Sequence, residues 1–384
     1  MKNRHKTEIF EVVTKLPTSP DRRAFCSHFS KHAGEDDRAP VSYKISSIDT
    51  DDLLRRVSRS FYVTLRVLPR AIRPQLSIAY LLARATDTVA DTDAIAVDKR
   101  QQALSDLRRS IQAICTRQKP CVPDLELFLQ TDRSEFSAKE DAERALLENI
   151  EPLFCALFKF SEADREKIRT VLETITCGQQ EDIRRFGMAS EGLNALATDE
   201  ELDIYTYEVA GCVGEFWTQL CLAHVFQRAV PDEKRLMSDA VRFGKGLQLV
   251  NILRDIPEDL RQGRCYIPEQ SLSKFGLTPG DLSNQDAMPR FQPLYDGYLD
   301  LAEEHLRAGW RYVTSLPFRC VRIRLACAWP VLIGVETLRR LRRGNILGDP
   351  RVKITRREIR RIIVKSVFLY PFGKTWNRLF DTRI

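Results

Sequence analysis

Long stretches of this 384-residue chain carry apolar side chains at helical spacing, and this pattern constrains the fold most. The segments LSIAYLLARATDTVA (76–90) and VRFGKGLQLVNILRDI (241–256) are typical examples. Their apolar residues recur at intervals of three and four, as on one face of an α-helix, rather than in the alternation of a strand. Gly and Pro are sparse, with 17 and 18 residues, and no internal repeat of fixed period is present. The sequence therefore predicts an all-α fold built as a helical bundle.

Three regions of the chain differ in composition. Residues 1–45 are polar and interrupted by the breaker clusters SPDRR and AGEDDRAP, which predicts an N-terminal extension. Residues 46–341 read as one helical domain, and residues 342–384 as a basic amphipathic segment. The apolar side of its helix is predicted to carry Ile359, Ile362, Ile363, Val367 and Tyr370. That helix is expected to pack on the core or to lie on a membrane surface.

The composition is that of a soluble globular protein, with 43% apolar and 29% charged residues. The longest run without Asp, Glu, Lys or Arg covers twelve residues, 216–227, whereas a membrane-spanning helix needs about 20. The N-terminus MKNRHKTEIFEVV is charged throughout and is not typical of a secretory signal. Ten cysteines occur without a CxxC pair, which favours free thiols in a reducing compartment. We expect a cytoplasmic protein, or one that is peripheral on the inner face of the membrane.

The net charge of +7 is concentrated near the C-terminus, because residues 339–365 contain eleven Lys or Arg and only two acids. Such a patch is either a solvated helical face or a surface for an anionic membrane, a phosphate-bearing ligand or nucleic acid. No nucleic-acid-binding motif accompanies it, so no nucleic acid partner is expected.

Two pairs of aspartates stand four residues apart in the helical patterns: Asp87 with Asp91, and Asp255 with Asp259. Residues at this spacing are neighbours on a helix, and like charges there destabilise it by a few tenths of a kcal/mol. Helix stability therefore gives no reason for either pair. A hard divalent cation does, because Mg²⁺ binds to one or two carboxylates and takes further ligands from water and substrate phosphates.

Further polar residues share a face with each pair. At about 100° per residue, Tyr80 and Arg84 fall within roughly 60° of the first pair, and Gln248 and Asn251 within roughly 80° of the second. Arg254 precedes the second pair and Arg264 follows it. Arginine engages phosphate oxygens in two places, so the sequence predicts a polar-lined cavity for a diphosphate and its metal ions.

A third segment, EELDIYTYEVAGCVGEFW, places Tyr205 and Tyr207 ahead of the small residues Ala210, Gly211 and Gly214. Glycine inside a helix costs about 1 kcal/mol relative to alanine, so it usually marks a close approach. The approaching partner is either another helix or an apolar substrate tail with a tyrosine hydroxyl at its polar end. Aromatic candidates for lining such a slot are Phe61, Phe216 and Trp217.

Together these segments resemble the squalene/phytoene synthase family of head-to-head prenyl synthases. The resemblance runs over SRSF (58–61), DTVAD (87–91), YTYEVAG (205–211) and LQLVNILRDIPEDLRQGRCYIP (247–268). It implies an isoprenoid-synthase helical bundle in which the two aspartate motifs face each other across a central cavity. Mg²⁺, with Mn²⁺ as a substitute, would be held by Asp87, Asp91, Asp255 and Asp259. The substrate-binding residues implied are Ser58, Phe61, Tyr80, Arg84, Val209, Ala210, Gly211, Gly214, Gln248, Asn251 and Arg264.

Within the family, DTVAD and DPRVKITRR (349–357) are similar to the squalene synthases. That resemblance implies NADPH as cofactor, bound by Arg59, Arg84, Arg254 and Lys353. Two positions depart from the eukaryotic enzymes: Ala90 replaces an acid and Thr355 a basic residue. The hydrophobic C-terminal anchor of those enzymes is also missing, as in a bacterial soluble form.

The function implied is the Mg-dependent condensation of two farnesyl diphosphates through presqualene diphosphate, followed by reduction to squalene. Tyr205 is predicted to handle the proton that is lost. Alternatives are release of presqualene diphosphate, hydroxysqualene or dehydrosqualene, or phytoene synthesis without a reductant. A catalytically silent assembly subunit is the non-enzyme alternative, which the intact aspartates and Tyr205 disfavour. We expect a monomer or weak dimer that contacts the membrane peripherally for product release.

Overall fold

A computed structural model of the protein describes residues 50–58, 61–92, 95–118, 123–129, 138–187, 192–226, 232–348 and 352–381. The predicted extension at 1–45 lies outside these residues, as do Arg59 and the side chain of Phe61. The chain from Ile48 to Ile384 forms one compact unit.

The described part of the chain is almost entirely helical, which confirms the all-α prediction. The α-helices are α1 (Thr50–Val57), α2 (Phe61–Val67), α3 (Arg73–Ala90), α4 (Val97–Cys115), α5 (Glu126–Leu129), α6 (Ala138–Glu148), α7 (Ile150–Phe158), α8 (Glu162–Phe186), α9 (Asp199–Thr206), α10 (Cys212–His224), α11 (Glu233–Arg261), α12 (Glu269–Ser273), α13 (Met288–Ser315), α14 (Val321–Leu341), α15 (Arg356–Leu369) and α16 (Gly373–Asn377). A π-helix (Tyr207–Gly211) joins α9 to α10, and 3₁₀ turns cover Pro279–Ser283 and Gln285–Ala287.

Several helices pack one against the next in a closed ring. Helix α3 packs on α8, α8 on the π-helix, and the π-helix on α11. Helix α11 packs on α14, α14 on α2, and α2 returns to α3. The two aspartate motifs lie at the C-terminal ends of two helices of this ring, α3 and α11.

The core surrounds this ring and includes the C-terminal helices. Helix α14 is buried on nearly every side, as expected of a helix whose apolar residues do not follow a single stripe. Trp376 in α16 is fully buried and stacks on Trp310 of α13 at 5.0 Å between ring centroids. The indole of Trp329 donates a hydrogen bond to Ser366 of α15, 3.0 Å away. The C-terminal segment is therefore packed into the same core as the ring.

Helix α15 does not carry the predicted apolar side in full. Ile362 is buried against the core, but Val367 keeps 40% of its surface exposed and points outward. Val367 lies outside the buried stripe of α15, which is narrower than the apolar pattern of its sequence. No helix among the described residues is long and apolar enough to cross a membrane.

A short parallel sheet fixes the loop after α11. Strand β1 (Asn194–Ala195) pairs with β2 (Arg264–Cys265), with Asn194 opposite Arg264. Gly263 precedes β2 with φ of 75°, a left-handed conformation that glycine adopts without strain. The turn and the pairing carry Arg264 and Tyr266 back toward helix α8.

Candidate active site

The first aspartate motif lies at the end of helix α3. The guanidinium of Arg84 forms an ion pair with Asp87 and a second one with Glu143 of α6, at 2.5 Å. Asp87 is surrounded by protein, yet 38% of its side-chain surface is accessible, as expected for a group that lines an open hollow. Burial and then the charge of Asp91 raise the pKa of Asp87 to about 6, against the effect of Arg84. Asp91 caps the helix and is exposed.

The second motif repeats this arrangement on helix α11. Arg254 binds Asp255 through two hydrogen bonds of 2.9 and 2.6 Å. Asp259 lies one turn further along the same helix. Burial and the charge of Asp255 raise the pKa of Asp259 to about 7. In each motif, therefore, an arginine pairs with the first aspartate and partly neutralises it.

Asp182 of helix α8 and Arg264 of β2 connect the two motifs. Their side chains lie 3.8 Å apart in an ion pair. The charge of Asp91 raises the pKa of Asp182, and the charge of Asp182 in turn raises that of Asp259. Arg264 also interacts electrostatically with Asp91, and its positive charge lowers the pKa of Asp259. Asp182 and Arg264 therefore lie within electrostatic reach of both motifs.

Two stacked tyrosines from different elements of the fold lie near this ion pair. The ring of Tyr205, at the end of α9, stacks on that of Tyr266 with 4.8 Å between centroids. The Tyr266 hydroxyl donates to both carboxylate oxygens of Asp182, each 3.1 Å away. Burial raises the pKa of Tyr205 well above its usual range. Burial and the charge of Asp91 raise the pKa of Asp182 to about 6, against Arg264.

The glycines after Tyr205 face helix α11 rather than an open space. A Cβ on Gly214 would lie 2.1 Å from the carbonyl oxygen of Ala240, and one on Gly244 would lie 2.2 Å from that of Ala210. A Cβ on Gly211 would meet the side chains of Tyr207 and Lys245 at 3.1 and 3.3 Å. Close helix packing, one of the two alternatives open from the sequence, therefore accounts for Gly211 and Gly214. The π-helix widens the backbone here, and such bulges are frequent at functional sites.

The other predicted substrate-binding residues differ in how far they are exposed. Tyr80, Gln248, Val209 and Ala210 are half-buried, and Asn251 is exposed although it lies in the middle of α11. Ser58 is buried directly after the end of α1, and its hydroxyl donates a hydrogen bond to the carbonyl of Leu54 at 2.5 Å. For the half-buried residues, substrate binding stays a prediction.

Three residues of the site were not predicted from the sequence: Glu143, Asp182 and Tyr266. Asp182 and Glu143 stand in ordinary charged helical segments, QQEDIRRF and AKEDAERALLE, where a solvated face is the common outcome. Tyr266 lies in the segment GRCYIP, whose arginine was predicted. The hydrogen bonds of its hydroxyl to Asp182 show that this tyrosine reaches α8.

The donor set of the site suits Mg²⁺. Among the described residues, no three His, Cys, Asp or Glu side chains form a ready-made metal group. Mg²⁺ in phosphate sites needs only one or two carboxylates and completes its octahedron with water and phosphate. The motifs offer oxygen donors only, with arginines beside them for the phosphate. Asp87 and Asp91 on one side and Asp255 and Asp259 on the other would hold the ions.

The residues that the resemblance links to NADPH lie on separate elements of the fold. Arg84 and Arg254 lie in the two motifs, where each pairs with an aspartate. Lys353 is exposed ahead of α15, and its carbonyl accepts a hydrogen bond from Arg340 at 2.7 Å. Thr355 caps α15 in a capping box with Glu358, which explains why a basic residue is absent there. Ala90 is buried, and its carbonyl accepts a hydrogen bond from Arg100 at 2.9 Å.

The chain is similar to known proteins over most of its length. The squalene/phytoene synthase family model matches residues 54–358. The chain is 26% identical over 341 residues to the squalene synthase of Schizosaccharomyces pombe, covering 88% of this chain and 67% of that protein. It is 28% identical over 260 residues to the presqualene diphosphate synthase of Zymomonas mobilis, covering 68% and 73%. It spans 47% of a bifunctional lycopene cyclase/phytoene synthase of Blakeslea trispora, at 28% identity.

Solved structures support the fold. The complex of TcSQS with the ligand E5700 matches with a TM-score of 0.67 at 22% identity, covering 87% of this chain and 91% of the other. The family match covers residues 54–358 and therefore includes both aspartate motifs and the helices that carry them. This chain belongs to the squalene/phytoene synthase family of head-to-head prenyltransferases.

Proposed function

We propose that this enzyme is a squalene synthase that condenses two farnesyl diphosphates to presqualene diphosphate and reduces this product to squalene. The observation that carries the proposal is the placement of the two aspartate motifs on helices α3 and α11 of one ring, with the ion pair of Asp182 and Arg264 within electrostatic reach of both. A reaction that joins two diphosphate substrates needs two anion-binding ends around one reaction space, and the two motifs supply them.

The diphosphates are bound by complementary charge. Bound Mg²⁺ supplies the positive charge that stabilises departing pyrophosphate. Arg84, Arg254 and Arg264 surround the same positions, and their planar donor groups suit phosphate oxygens. Arg84 and Arg254 are held in place by carboxylates in the free protein, so they are oriented before substrate arrives.

The proton lost when the cyclopropane ring closes has a route out of the site. In this route Tyr205 accepts the proton from the substrate as it passes its own hydroxyl proton to Tyr266, whose ring stacks on it, and Tyr266 passes its own to Asp182. A tyrosinate is disfavoured here because burial raises the pKa of Tyr205 well above its usual range. Asp182, with a pKa of about 6, is largely ionised at neutral pH and is therefore the group that can accept the proton. Pyrophosphate shares this task.

The second half of the reaction separates squalene synthesis from its alternatives. NADPH, when bound, supplies the hydride that quenches the final cation, and Lys353, Arg84 and Arg254 would hold its phosphates. A second candidate function is release of presqualene diphosphate. It is favoured by the similarity to the Zymomonas mobilis enzyme and by Thr355, whose side chain caps a helix where the squalene synthases carry a charge.

One incubation distinguishes these functions. Purified protein is supplied with farnesyl diphosphate and Mg²⁺, with and without NADPH, and the products are identified by mass spectrometry. Squalene that depends on NADPH supports the proposal. Presqualene diphosphate in both arms supports the second candidate, and hydroxysqualene, dehydrosqualene or phytoene would assign one of the other products. No prenyl product from either arm, or from geranylgeranyl diphosphate, would contradict a prenyl synthase altogether.

A further inference from the structure

The outward face of helix α15 is apolar where a solvated helix would be polar. Phe368 keeps 74% of its surface exposed, Phe372 keeps 58%, and Val364 and Val367 are exposed beside them. We call these four residues the outer patch. Opposite them, Ile362 and Ser366 pack into the core, so the helix is already anchored on its inner side. The exposed rings therefore contribute nothing to packing within the chain.

Basic residues flank the outer patch on both sides. At about 100° per residue, Val364 and Phe368 lie within roughly 40° of each other, with Arg361 and Lys365 on one side and Arg360 on the other. None of these three cations pairs with a carboxylate in the described part of the chain. The two acids of residues 352–381 are taken up elsewhere: Glu358 binds Arg340, and Asp381 lies 3.7 Å from Arg307.

The patch continues onto a second element. Phe318, ahead of α14, is exposed and stacks on Tyr370 with 5.0 Å between ring centroids. Val321 follows it with an exposed side chain, and Arg319 and Arg322 are exposed cations beside them. A second chain segment in contact with the end of α15 thus also exposes an aromatic and an aliphatic side chain, with arginines next to them.

We propose that the outer patch of α15 docks this protein on an anionic membrane surface. Aromatic and aliphatic side chains at the centre of a helix face, with lysine and arginine at its edges, match a helix that lies in the plane of a bilayer interface. The rings would enter the boundary of the acyl chains, and the cations would contact anionic headgroups. A soluble protein partner is less well matched, because the cations at the edges of the patch can recognise negative charge and nothing more specific. The inference does not depend on the reaction that the enzyme catalyses.

The test is co-sedimentation of the full chain with lipid vesicles, which needs no activity. We expect binding to vesicles of phosphatidylglycerol and phosphatidylcholine in equal parts, and at least tenfold weaker binding to pure phosphatidylcholine or in 1 M NaCl. The double variant Phe368→Ser/Phe372→Ser should bind at least tenfold more weakly. Arg361→Gln/Lys365→Gln should lose the preference for the anionic lipid. Both pairs are exposed, so the thermal unfolding of the variants should match that of the wild type.

Phe158→Ser is the matched control, because Phe158 is 52% exposed but lies on α7, which does not pack on α15. Its binding should equal that of the wild type. The proposal is overturned if the wild type stays in the supernatant, if Phe368→Ser/Phe372→Ser sediments like the wild type, or if Phe158→Ser is equally impaired. A lipid-free dimer that Phe368→Ser/Phe372→Ser abolishes would also overturn it, in favour of a second copy of this chain as the occupant.

Discussion

At the scale of single residues, the two motifs and Asp182 hold more negative charge than the free protein can neutralise. Arg84 and Arg254 each pair with the first aspartate of a motif, and Arg264 forms an ion pair with Asp182. Asp259 lies among these carboxylates, and its pKa of about 7 shows that its ionised form is disfavoured. A carboxylate whose ionised form is disfavoured in the free protein, but would be stabilised by a bound cation, is typical of a functional site.

Asp259→Asn should therefore stabilise the metal-free protein while removing activity. The folded-state pKa of Asp259 is raised, so its contribution is favourable below about pH 4 and is lost as the pH rises toward about 7. The raised pKa of Asp259 corresponds to ~1.4 kcal/mol of lost stability per pKa unit. Solvent screening reduces this total, so at pH 8 the neutral amide should raise the free energy of unfolding by about 1 kcal/mol. Chemical denaturation with EDTA at pH 5 and pH 8 measures this difference.

The gain should be confined to high pH and should vanish when Mg²⁺ and pyrophosphate are added. Asp199→Asn is a control outside the site, because Asp199 accepts hydrogen bonds from Ser271 and Tyr298 and should lose stability on substitution. An Asp259→Asn variant that is less stable at pH 8 and still turns over substrate would contradict the role of this carboxylate.

Asp87→Ala and Asp255→Ala should each abolish turnover, with the fold left intact. Each substitution removes one carboxylate from a motif and leaves Arg84 or Arg254 without that partner. Because the side chains of Arg84 and Arg254 keep 23% and 27% of their surface accessible, water can reach the released arginine and the loss of stability should stay at about 1 kcal/mol. Pyrophosphate release and circular dichroism report the two effects, and normal activity in either purified variant would count heavily against the metal assignment.

The hydroxyl route can be tested by removing its parts in turn. Tyr266→Phe keeps the ring stacked on Tyr205 but removes the hydroxyl that reaches Asp182, so formation of presqualene diphosphate should slow by about 10²-fold. Asp182→Asn should slow it similarly and also change its pH profile. Since Asp182 accepts a proton only when ionised, the wild-type rate should fall below about pH 6 at saturating Mg²⁺, which keeps Asp87 and Asp259 ionised, and the variant should lack this fall.

Tyr298→Phe is the matched control for Tyr266→Phe, because the Tyr298 hydroxyl binds Asp199 at 2.5 Å, away from both motifs. It should leave the rate and the pH profile unchanged. If Asp182→Asn lowers the rate but keeps the acidic fall of the wild type, Asp182 holds Arg264 in position and receives no proton.

At the same scale, the sequence predicted the groups that local spacing can reveal. Asp87 and Asp91 are recognisable because like charges one helical turn apart need an explanation. Asp182 carries no such sign, and its partners Arg264 and Tyr266 are more than 80 residues away in the chain. A contact of that kind depends on how α8 and β2 meet, which no local pattern determines.

At the scale of elements, the fit between the π-helix region and α11 depends on glycine. Gly244→Ala would place a methyl group 2.2 Å from the carbonyl oxygen of Ala210, and backbone on both sides prevents relief. We expect a loss of about 3 kcal/mol or more in the free energy of unfolding. Gly297→Ala in α13 is the control: nothing lies within 4 Å of the position that its methyl group would take, so it should gain up to about 1 kcal/mol.

Thermal unfolding of the two variants measures this contrast, and equal stability of both would refute the close approach. The contrast also shows what a sequence can say about glycine. Gly211 and Gly214 indicated a close approach but not its partner, and Gly244 on the other helix was not predicted to take part. The partner is fixed only when α10 and α11 pack, since Gly214 and Gly244 each receive the backbone of the opposite segment.

At the scale of the whole molecule, the C-terminal segment belongs to the structure that holds the site. Helix α15 packs on α14, and α14 completes the ring by packing on both α11 and α2. The all-α architecture followed from helical periodicity. Residues 342–384 were predicted only as a basic amphipathic segment, because their charge hides the few residues that anchor them, such as Trp376 and Phe380.

Trp376→Ala should accordingly destabilise the entire enzyme. The ring is fully buried, stacks on Trp310 and donates a hydrogen bond to the carbonyl of Ser366 at 2.9 Å. Its removal leaves a cavity beside α13 and α15 and should cost about 3–5 kcal/mol. Because α15 and the ring share one core, the melting curve followed by circular dichroism should shift as a single transition, and activity should be lost at the same temperature. Lys374→Ala, an exposed neighbour on the same helix, should leave both unchanged. Two separate transitions, with activity surviving the first, would show instead that the C-terminal segment unfolds independently of the site.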